Sequence, residues 1–320
     1  MKFGIIGSNF IVDRFVLSAK AHHDFAVECC YSRTEKQAII NKEKYGANSY
    51  TNDLSALAQN PDIDAVYIAS PNKFHARQIE LMLNNGKHVL CEKPITSNAK
   101  DFSYLISLAQ AKGLKLMEAM RPLHLPIFDY INDAIAKIGK LRYAHFPYCQ
   151  YSSRYDKFKN GIVENAFNPT FHNGALLDIG VYCVTWAEYL FGIPRNINAY
   201  GSFLPQSIDA NGTVVMDYGD MQAVAVYSKV HDMDSPCTIA GENGQIDIYP
   251  FPIPQQMQMK LRGKEPIMKK FNIHEYDMFH ELDAFINLDL DEIKKYQQHS
   301  LNTLFIMDKV RQLVGIDFEL

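Results

Sequence analysis

Residues 4–12 read Gly-Ile-Ile-Gly-Ser-Asn-Phe-Ile-Val, and this stretch decides the fold. A short apolar run ends at Gly7 and an amphipathic stretch follows, which is the pattern of a strand, a tight turn and a helix. In a dinucleotide-binding fold, such a turn presents backbone N–H groups and a helix N-terminus to a pyrophosphate. The candidate cofactor-binding residues here are Gly7, Ser8, Asn9, Phe10 and Ile11.

The turn keeps only one glycine of the G-x-G-x-x-G pattern typical of dinucleotide-binding turns. Gly7 holds one position, while Asn9 and Val12 stand at the other two. Asparagine enters the left-handed backbone region more easily than most residues, so we expect Asn9 to be tolerated there. A plain tight turn explains the same residues, and the rest of the chain has to decide between the two interpretations.

Beyond this turn, roughly the first 120 residues alternate short apolar runs with longer amphipathic stretches. The alternation predicts βαβ units and a parallel, doubly wound sheet of the Rossmann type, hence an α/β fold. Two Gly-containing pairs, at 85–86 and 112–113, fall where helices would end. The predicted strands are 3–6, 25–31, 65–69, 88–91 and 114–118, and the predicted helices are 11–21, 35–45, 75–83 and 99–111.

The rhythm of the sequence changes after Arg121, and the segment from Pro122 to Pro126 indicates a domain junction. We place one domain at 1–121 and another at 122–320. In the latter, strands joined by Gly- and Asp-containing turns predict an antiparallel or mixed sheet. Its strands are predicted from about 141 and at 197–203, 212–216, 222–228 and 237–240, its helices at 127–137, 177–190, 276–288 and 301–314, and a polar loop at 151–168.

The composition of the 320 residues excludes several classes of protein. With 47% apolar and 21% charged residues, the chain is neither disordered nor a small disulfide scaffold. Lys+Arg 32 against Asp+Glu 36 gives a net charge of -4, so nucleic acid is not an expected partner. No apolar run approaches the ~20 residues of a membrane span. The six cysteines lack metal-site spacing, which predicts no metal and free thiols in a reducing cytoplasm.

Polar residues stand where predicted strands end, and open α/β sheets bind their ligands at that edge. One such segment, 69–75, contains Ser70 and Pro71, and another, 91–94, reads Cys-Glu-Lys-Pro. A lysine at the end of a buried strand faces low-dielectric walls, whereas an isolated Glu-Lys pair is more often a surface charge. Position therefore favours a site at Lys93.

The second predicted strand ends at Ser32 and Arg33, where the adenosine ribose would lie. A hydroxyl and a guanidinium suit the 2′-phosphate of NADP, and NAD remains an alternative. An ordinary helix start with Thr34 as its N-cap explains the same residues. We therefore predict NADP as the cofactor, with Ser32 and Arg33 as candidate ligands.

Five motifs follow one another along the chain. They are G-I-I-G at 4–7, S-P-N-K-F-H at 70–75, G-K-H-V-L-C-E-K-P at 86–94, M-E-A-M-R at 117–121 and G-A-L-L-D-I-G-V-Y at 174–182. Together they resemble the glucose-fructose oxidoreductase, inositol dehydrogenase and rhizopine catabolism (Gfo/Idh/MocA) family. The last motif, which ends in Tyr182, is most similar to the corresponding motif of the dihydrodiol dehydrogenases.

The resemblance implies an N-terminal Rossmann domain, a C-terminal α+β domain with a large open, mostly antiparallel sheet, and a nicotinamide cofactor in the cleft between them. It implies that Lys93 is catalytic and that Tyr182 and Asp178 supply an acid/base and its neighbour. The cofactor-binding candidates that it adds are Asn72, His75, Glu92, Lys93 and Arg121.

Elementary chemistry is consistent with these roles. Asp178 and Tyr182 are spaced i, i+4, so a helix would place them on one face. A phenol pKa near 10 is high for base work, and a nearby ammonium, for which Lys93 is the candidate, lowers it. Taken alone, a tyrosine such as Tyr182 on a core helix is more often a packed aromatic, and a helix-dipole partner explains Asp178.

The resulting prediction is an NAD(P)-dependent oxidoreductase. It would transfer hydride between the nicotinamide and a hydroxyl or carbonyl carbon of a sugar, polyol or cyclic diol, a substrate class that the resemblance implies. A homodimer or higher homo-oligomer through the C-terminal sheet is also expected, since an open sheet needs a cover. The alternatives are a non-catalytic dinucleotide-binding sensor of the same fold and a tetrapyrrole reductase that shares the nucleotide domain.

Overall fold

The structure, a computed structural model, describes residues 1–318. The chain forms two compact units. One comprises Met1–His124 and His274–Ser300, and the other comprises Leu125–Ile273 and the chain from Leu301 onward. The return of 274–300 to the N-terminal unit is a feature that a linear division at 121/122 does not contain.

Six parallel strands form the sheet of the N-terminal unit. They are β1 (Lys2–Ile6), β2 (Ala26–Tyr31), β3 (Ser49–Thr51), β4 (Ala65–Ile68), β5 (His88–Glu92) and β6 (Leu116–Ala119). Their order is β3-β2-β1-β4-β5-β6, which is that of a doubly wound nucleotide-binding sheet reversing between β1 and β4. The predicted Rossmann sheet is confirmed, and β3 is a short strand that the apolar pattern did not reveal.

The α-helices of residues 1–318 are α1 (Phe10–Ala19), α2 (Glu35–Tyr45), α3 (Leu54–Gln59), α4 (His75–Asn84), α5 (Ala99–Lys112), α6 (Phe128–Ile135), α7 (Tyr155–Lys159), α8 (Val181–Phe191), α9 (Phe279–Asn287) and α10 (Leu290–Val314). Gly113 ends α5 in the left-handed conformation, as its position in the sequence predicted. Within the described part of the chain, every helix is too short or too polar to cross a bilayer.

Aromatic side chains fill the core of the N-terminal unit. The rings of Phe15 on α1 and Tyr67 on β4 are stacked, with centroids 3.6 Å apart. Phe285 of α9 is fully buried, and its ring centroid lies 5.9 Å from that of Phe3. This packing explains why α9 belongs to the unit that the N-terminal residues build.

Eight strands form the sheet of the C-terminal unit. They are β7 (Leu141–Cys149), β8 (Asn196–Leu204), β9 (Ile208–Asp217), β10 (Gln222–Ser228), β11 (Cys237–Gly241), β12 (Gly244–Tyr249), β13 (Gln256–Leu261) and β14 (Ile267–Lys270). The order is β14-β13-β12-β11-β7-β10-β9-β8, with only β7 and β10 parallel. The predicted, mostly antiparallel sheet is confirmed. Its edge strand β14 is exposed throughout and ends in two lysines, which hides it from the apolar pattern and protects the edge.

Helix α8 covers one face of this sheet. The fully buried Trp186 packs against Phe146 of β7, with centroids 6.5 Å apart, and against Phe128 of α6, at 4.7 Å. From Ala210 onward, buried residues alternate with half-buried residues along β9. One face of the sheet is therefore buried there, and the opposite face is only partly covered.

Candidate functional site

The turn after β1 requires glycine. Gly7 has φ +131°, and a Cβ atom there would lie 2.8 Å from the carbonyl oxygen of Ala69. Asn9 has an extended backbone with φ -102° and is the N-cap of α1, where its Oδ1 accepts from the N–H groups of Ile11 and Val12 at 3.1 and 3.3 Å. The left-handed conformation expected for Asn9 is therefore wrong, and its role is helix capping.

The same turn fits a dinucleotide. It lies at the carboxyl ends of β1 and β4, where the strand order reverses, and Asn9 Nδ2 donates to Ala69 O at 3.1 Å to hold the two loops together. Ser8 and Phe10 are exposed at the N-terminus of α1, and Ile11 is half-buried. Backbone groups at a helix N-terminus suit a pyrophosphate.

The end of β2 leads into a capped helix, as one of the two interpretations predicted. Thr34 is the N-cap of α2, and its hydroxyl accepts from Gln37 N–H at 3.4 Å. Arg33, the residue before it, is exposed, and the N–H of the half-buried Ser32 donates to Thr51 O at 3.2 Å. Arg33 thus lies just after the carboxyl end of β2 and outside the helix cap.

His75 is fully buried between the loops that follow β4 and β5. Its Nε2 lies 2.8 Å from Ser70 O and its Nδ1 lies 3.0 Å from Pro94 O. Burial lowers the pKa of His75, and a neutral ring donates to only one of these carbonyls. Pro71 and the buried Asn72 form the turn between Ser70 and His75. His75 therefore links the two loops from their buried side through contacts with a backbone carbonyl of each loop.

Lys93 follows β5 and lies beside two buried carboxyl groups. Glu92 accepts from Tyr67 OH at 2.7 Å, and Glu118 accepts from the N–H of Ile95 at 2.9 Å. Burial raises the pKa of both glutamates, while the positive charge of Lys93 acts in the opposite direction on both. Lys93, a half-buried residue, thus supplies a positive charge that favours the ionised form of both buried carboxyl groups.

Arg121 is held by an acidic residue from the returning segment 274–300. Its guanidinium donates to Asp277, and Arg14 Nε donates to the same carboxylate at 2.7 Å. Glu281 on α9 is fully buried, and burial followed by the charge of Glu92 raises its pKa well above the ordinary value. Asp277 and Glu281 escaped prediction because nothing in the local sequence shows that this segment returns to the loop after β6.

In the C-terminal unit, Asp178 lies on a π-helical turn. The turn spans Leu176–Gly180 and α8 continues from Val181, where the sequence predicted one regular helix from near Leu177. Such π turns recur at functional sites. Tyr182 is largely buried on the first turn of α8, and its ring meets that of Tyr148 edge to face with centroids 5.7 Å apart.

A buried lysine that the sequence did not bring to notice pairs with Asp178. Lys229 Nζ lies 2.8 Å from Asp178 Oδ2, and only 4% of the lysine side chain is exposed. Asp209, also buried, accepts from Leu176 N–H at 2.6 Å and so anchors the start of the π turn. Lys229 directly follows the apolar strand β10, which is the same signal that singled out Lys93.

Comparison with known proteins identifies the family of both halves of the chain. A family model described as "Oxidoreductase family, NAD-binding Rossmann fold" matches residues 1–120, and one described as "GFO/IDH/MocA C-terminal domain" matches residues 131–247. Each agrees with the sheet that the structure shows in that part of the chain.

Individual relatives match over nearly the whole chain. The chain is 40% identical over 320 residues to scyllo-inositol 2-dehydrogenase (NADP(+)) IolU of Bacillus subtilis (strain 168). The aligned region covers 99% of this chain and 98% of that protein. It is 26% identical to trans-1,2-dihydrobenzene-1,2-diol dehydrogenase of Oryctolagus cuniculus, over 98% and 97% of the two chains. KijD10, a 3-ketoreductase from Actinomadura kijaniata in complex with NADP and TDP-benzene, shares the fold with a TM-score of 0.88, 22% identity and 98% coverage of each chain. The chain therefore belongs to the Gfo/Idh/MocA oxidoreductase family, and the predicted class, an NAD(P)-dependent oxidoreductase acting on CH–OH groups, is confirmed.

Proposed function

We propose that this protein is an NADP-dependent dehydrogenase of a polyol, with a cyclic polyol of the inositol type as the first candidate substrate. The observation that carries the proposal is the position of Lys93, which directly follows β5 at the carboxyl edge of the sheet and whose positive charge acts on the buried carboxyl groups of Glu92 and Glu118. The identity of 40% with an NADP-dependent scyllo-inositol dehydrogenase supports both the cofactor and the substrate class.

In this proposal the N-terminal domain holds the cofactor. The pyrophosphate binds at the N-terminus of α1, because the turn lets an anion come close to the backbone and the helix dipole favours negative charge there. The residues of this turn are Gly7, Ser8, Asn9, Phe10 and Ile11. Ser32 and Arg33 receive the 2′-phosphate. The remaining candidates at the carboxyl edge, on which the dinucleotide would lie, are Ser70, Pro71, Asn72, Glu92 and Arg121, while the fully buried His75 would hold the loops that carry them.

The bound nicotinamide would supply the acceptor for the hydride that leaves the substrate carbon. Lys93 donates a hydrogen bond to the reacting oxygen, which stabilises the negative charge that develops there. Tyr182 in its phenolate form takes the hydroxyl proton during oxidation, and as the phenol it returns that proton during reduction. Asp178 accepts a hydrogen bond from a substrate hydroxyl and so fixes the orientation of the polyol.

The proposal is tested with the purified chain and a panel of scyllo-inositol, myo-inositol, D-glucose and trans-1,2-dihydrobenzene-1,2-diol. We expect NADP+ to be reduced with at least one of the two inositols, and much faster than NAD+, in an absorbance assay of NADPH. If none of the four is oxidised although calorimetry shows that NADP+ binds, the result contradicts a polyol dehydrogenase and favours a dinucleotide-binding sensor.

Arg33→Ala should shift the cofactor preference. Losing hydrogen bonds to a phosphate costs about 1.5 to 3 kcal/mol, so KM for NADP+ should rise about 10- to 100-fold. KM for NAD+, which has no 2′-phosphate, should stay within about 2-fold. Arg77→Ala, an exposed arginine on α4, is the matched control. Equal effects of Arg33→Ala on both cofactors would refute the assignment.

We also propose that the C-terminal domain binds substrate and forms a homodimer or higher oligomer through the partly covered face of its sheet. On that face Val215, Val224 and Val226 are only half-buried, and an open apolar sheet face is a common interface. Light scattering should give at least twice the chain mass, and a monomeric mass would exclude this interface. The six free, buried thiols support a reducing, cytoplasmic environment.

A further inference from the structure

Lys229 is one of the most buried charged residues of the C-terminal unit, and the proposed chemistry does not use it. It follows β10, and only 3% of the residue is exposed. A buried ammonium is costly unless its charge and its N–H donors are satisfied. Its retention in the interior therefore needs an explanation in terms of what it contacts.

The ammonium group is satisfied from three directions. Its Nζ lies 2.8 Å from Asp178 Oδ2, donates to Ala166 O at 2.6 Å and lies 4.7 Å from the centroid of the Phe167 ring. The contacts combine an ion pair, a hydrogen bond and a cation–π interaction. They fix Nζ at one point, and with it the carboxylate of Asp178.

The backbone that carries Asp178 is fixed separately. Asp209 accepts from Leu176 N–H at 2.6 Å, and a Cβ atom at Gly174 would lie 1.6 Å from Asp209 Oδ1, so this approach requires glycine. Asp209 thus sets the start of the π turn, while Lys229 sets the direction of the Asp178 side chain. The latter is one-third exposed, which leaves it accessible to a ligand while it is paired.

Lys229 also contacts residues 151–168, the segment that the sequence analysis predicted as a polar loop. The carbonyl of Lys229 accepts from Ser152 N–H at 2.9 Å near the start of the loop, and Nζ holds Ala166 near its end. Within the 151–168 segment, the ring of Tyr155 stacks on that of Phe167, with centroids 5.8 Å apart. One residue therefore contacts both the Asp178 carboxylate and this aromatic segment.

We propose that Lys229 is a positioning residue for hydride transfer, which holds the Asp178 carboxylate in the arrangement that orients a polyol hydroxyl. The proposal rests on the proposed function, since it needs Asp178 to receive the substrate. It adds a residue that touches neither the substrate nor the cofactor and acts through Asp178.

The test is a kinetic cycle of Lys229→Met, Asp178→Asn and the double variant, assayed with NADP+ and the inositol that the wild-type protein oxidises. Misplacing a substrate-orienting group costs up to about 100-fold in rate. We expect Lys229→Met to lower kcat about 10- to 100-fold and to raise KM for the polyol, with KM for NADP+ within about 2-fold of wild type. The double variant should be no slower than Asp178→Asn, because Lys229 acts through that residue.

Two further variants separate positioning from general stability. Lys260→Met removes the ion pair that Lys260 forms with Asp247 at 2.7 Å in the same unit, and it should leave kcat unchanged. Lys229→Arg keeps the charge and should recover part of the lost kcat. If Lys229→Met alone does not fold, the double variant, which removes both charges of the pair, is compared with Asp178→Asn instead.

Two results would overturn the proposal: kcat of Lys229→Met equal to wild type while Asp178→Asn is slow, or losses that multiply in the double variant. If the wild-type protein oxidises no polyol, the proposed function fails, and crystal structures decide the positioning role without activity. A displaced Asp178 carboxylate in the variant that lacks the Lys229 ammonium would support it, and an unmoved carboxylate would overturn it.

Discussion

Replacing Lys93 with Met is expected to lower kcat/KM for polyol oxidation about 1000-fold, while KM for NADP+ stays within about 3-fold. Loss of one donor to a developing oxyanion costs about 10²- to 10³-fold, or about 3 to 4 kcal/mol. Lys93 is also the cation beside the buried carboxyl groups of Glu92 and Glu118. Steady-state rates with NADP+ measure the effect.

The loss of activity has to be separated from the loss of a positive charge that acts on two buried acids. Lys93→Arg keeps the positive charge but moves the donor, so we expect normal thermal stability with activity still at least 100-fold low. Lys100→Met, an exposed lysine on α5, should behave as wild type. If Lys93→Arg restored full activity, Lys93 would be a charge-balancing residue rather than a geometrically defined donor.

The architecture of the N-terminal unit could be predicted because each of its main strands is a buried apolar run followed by an amphipathic helix. That pattern indicates a parallel sheet with helices on both faces. It did not show which core receives α9, because an amphipathic helix reveals only that one face is buried and not what covers it. Phe285 settles this by packing on Phe3.

Candidate residues could be predicted where a strand ends, and their partners could not. Lys93 stands out because a lysine terminates a buried strand, and Lys229 terminates β10 in the same way. Its partner Asp178 belongs to a distant π turn, and the sequence around either residue contains no sign of the other. Asn9 shows the opposite situation. Its residue type correctly indicated that asparagine is tolerated in the turn, but the reason is helix capping and not a left-handed backbone.

Replacing Tyr182 with Phe is expected to lower kcat about 100- to 1000-fold, since removal of a general acid/base costs about 10² to 10⁴ in rate. The phenyl ring still fills the same space, and its edge-to-face contact with Tyr148 is kept. We therefore expect thermal unfolding within a few degrees of wild type. NADPH formation and a thermal melt measured on the same preparation check both parts.

Tyr148→Phe is the matched control, because this second phenol is adjacent to the first. Tyr148 OH donates to Gln150 Oε1 at 3.4 Å, and the residue is half-buried. We expect its removal to change kcat less than about 3-fold. The reverse pattern, a slow Tyr148→Phe and a normal Tyr182→Phe, would move the acid/base role to Tyr148.

A double variant, Lys93→Met with Tyr182→Phe, tests whether the two side chains act on one oxygen. Groups that stabilise the same transition-state charge are not independent, so removing both costs far less than the product of the single losses. If Lys93 and Tyr182 share the reacting oxygen, the double variant should be about as slow as the slower single one. Losses that multiply would mean that the two residues contribute independently, and Lys93 would then not stabilise the oxygen from which Tyr182 takes the proton.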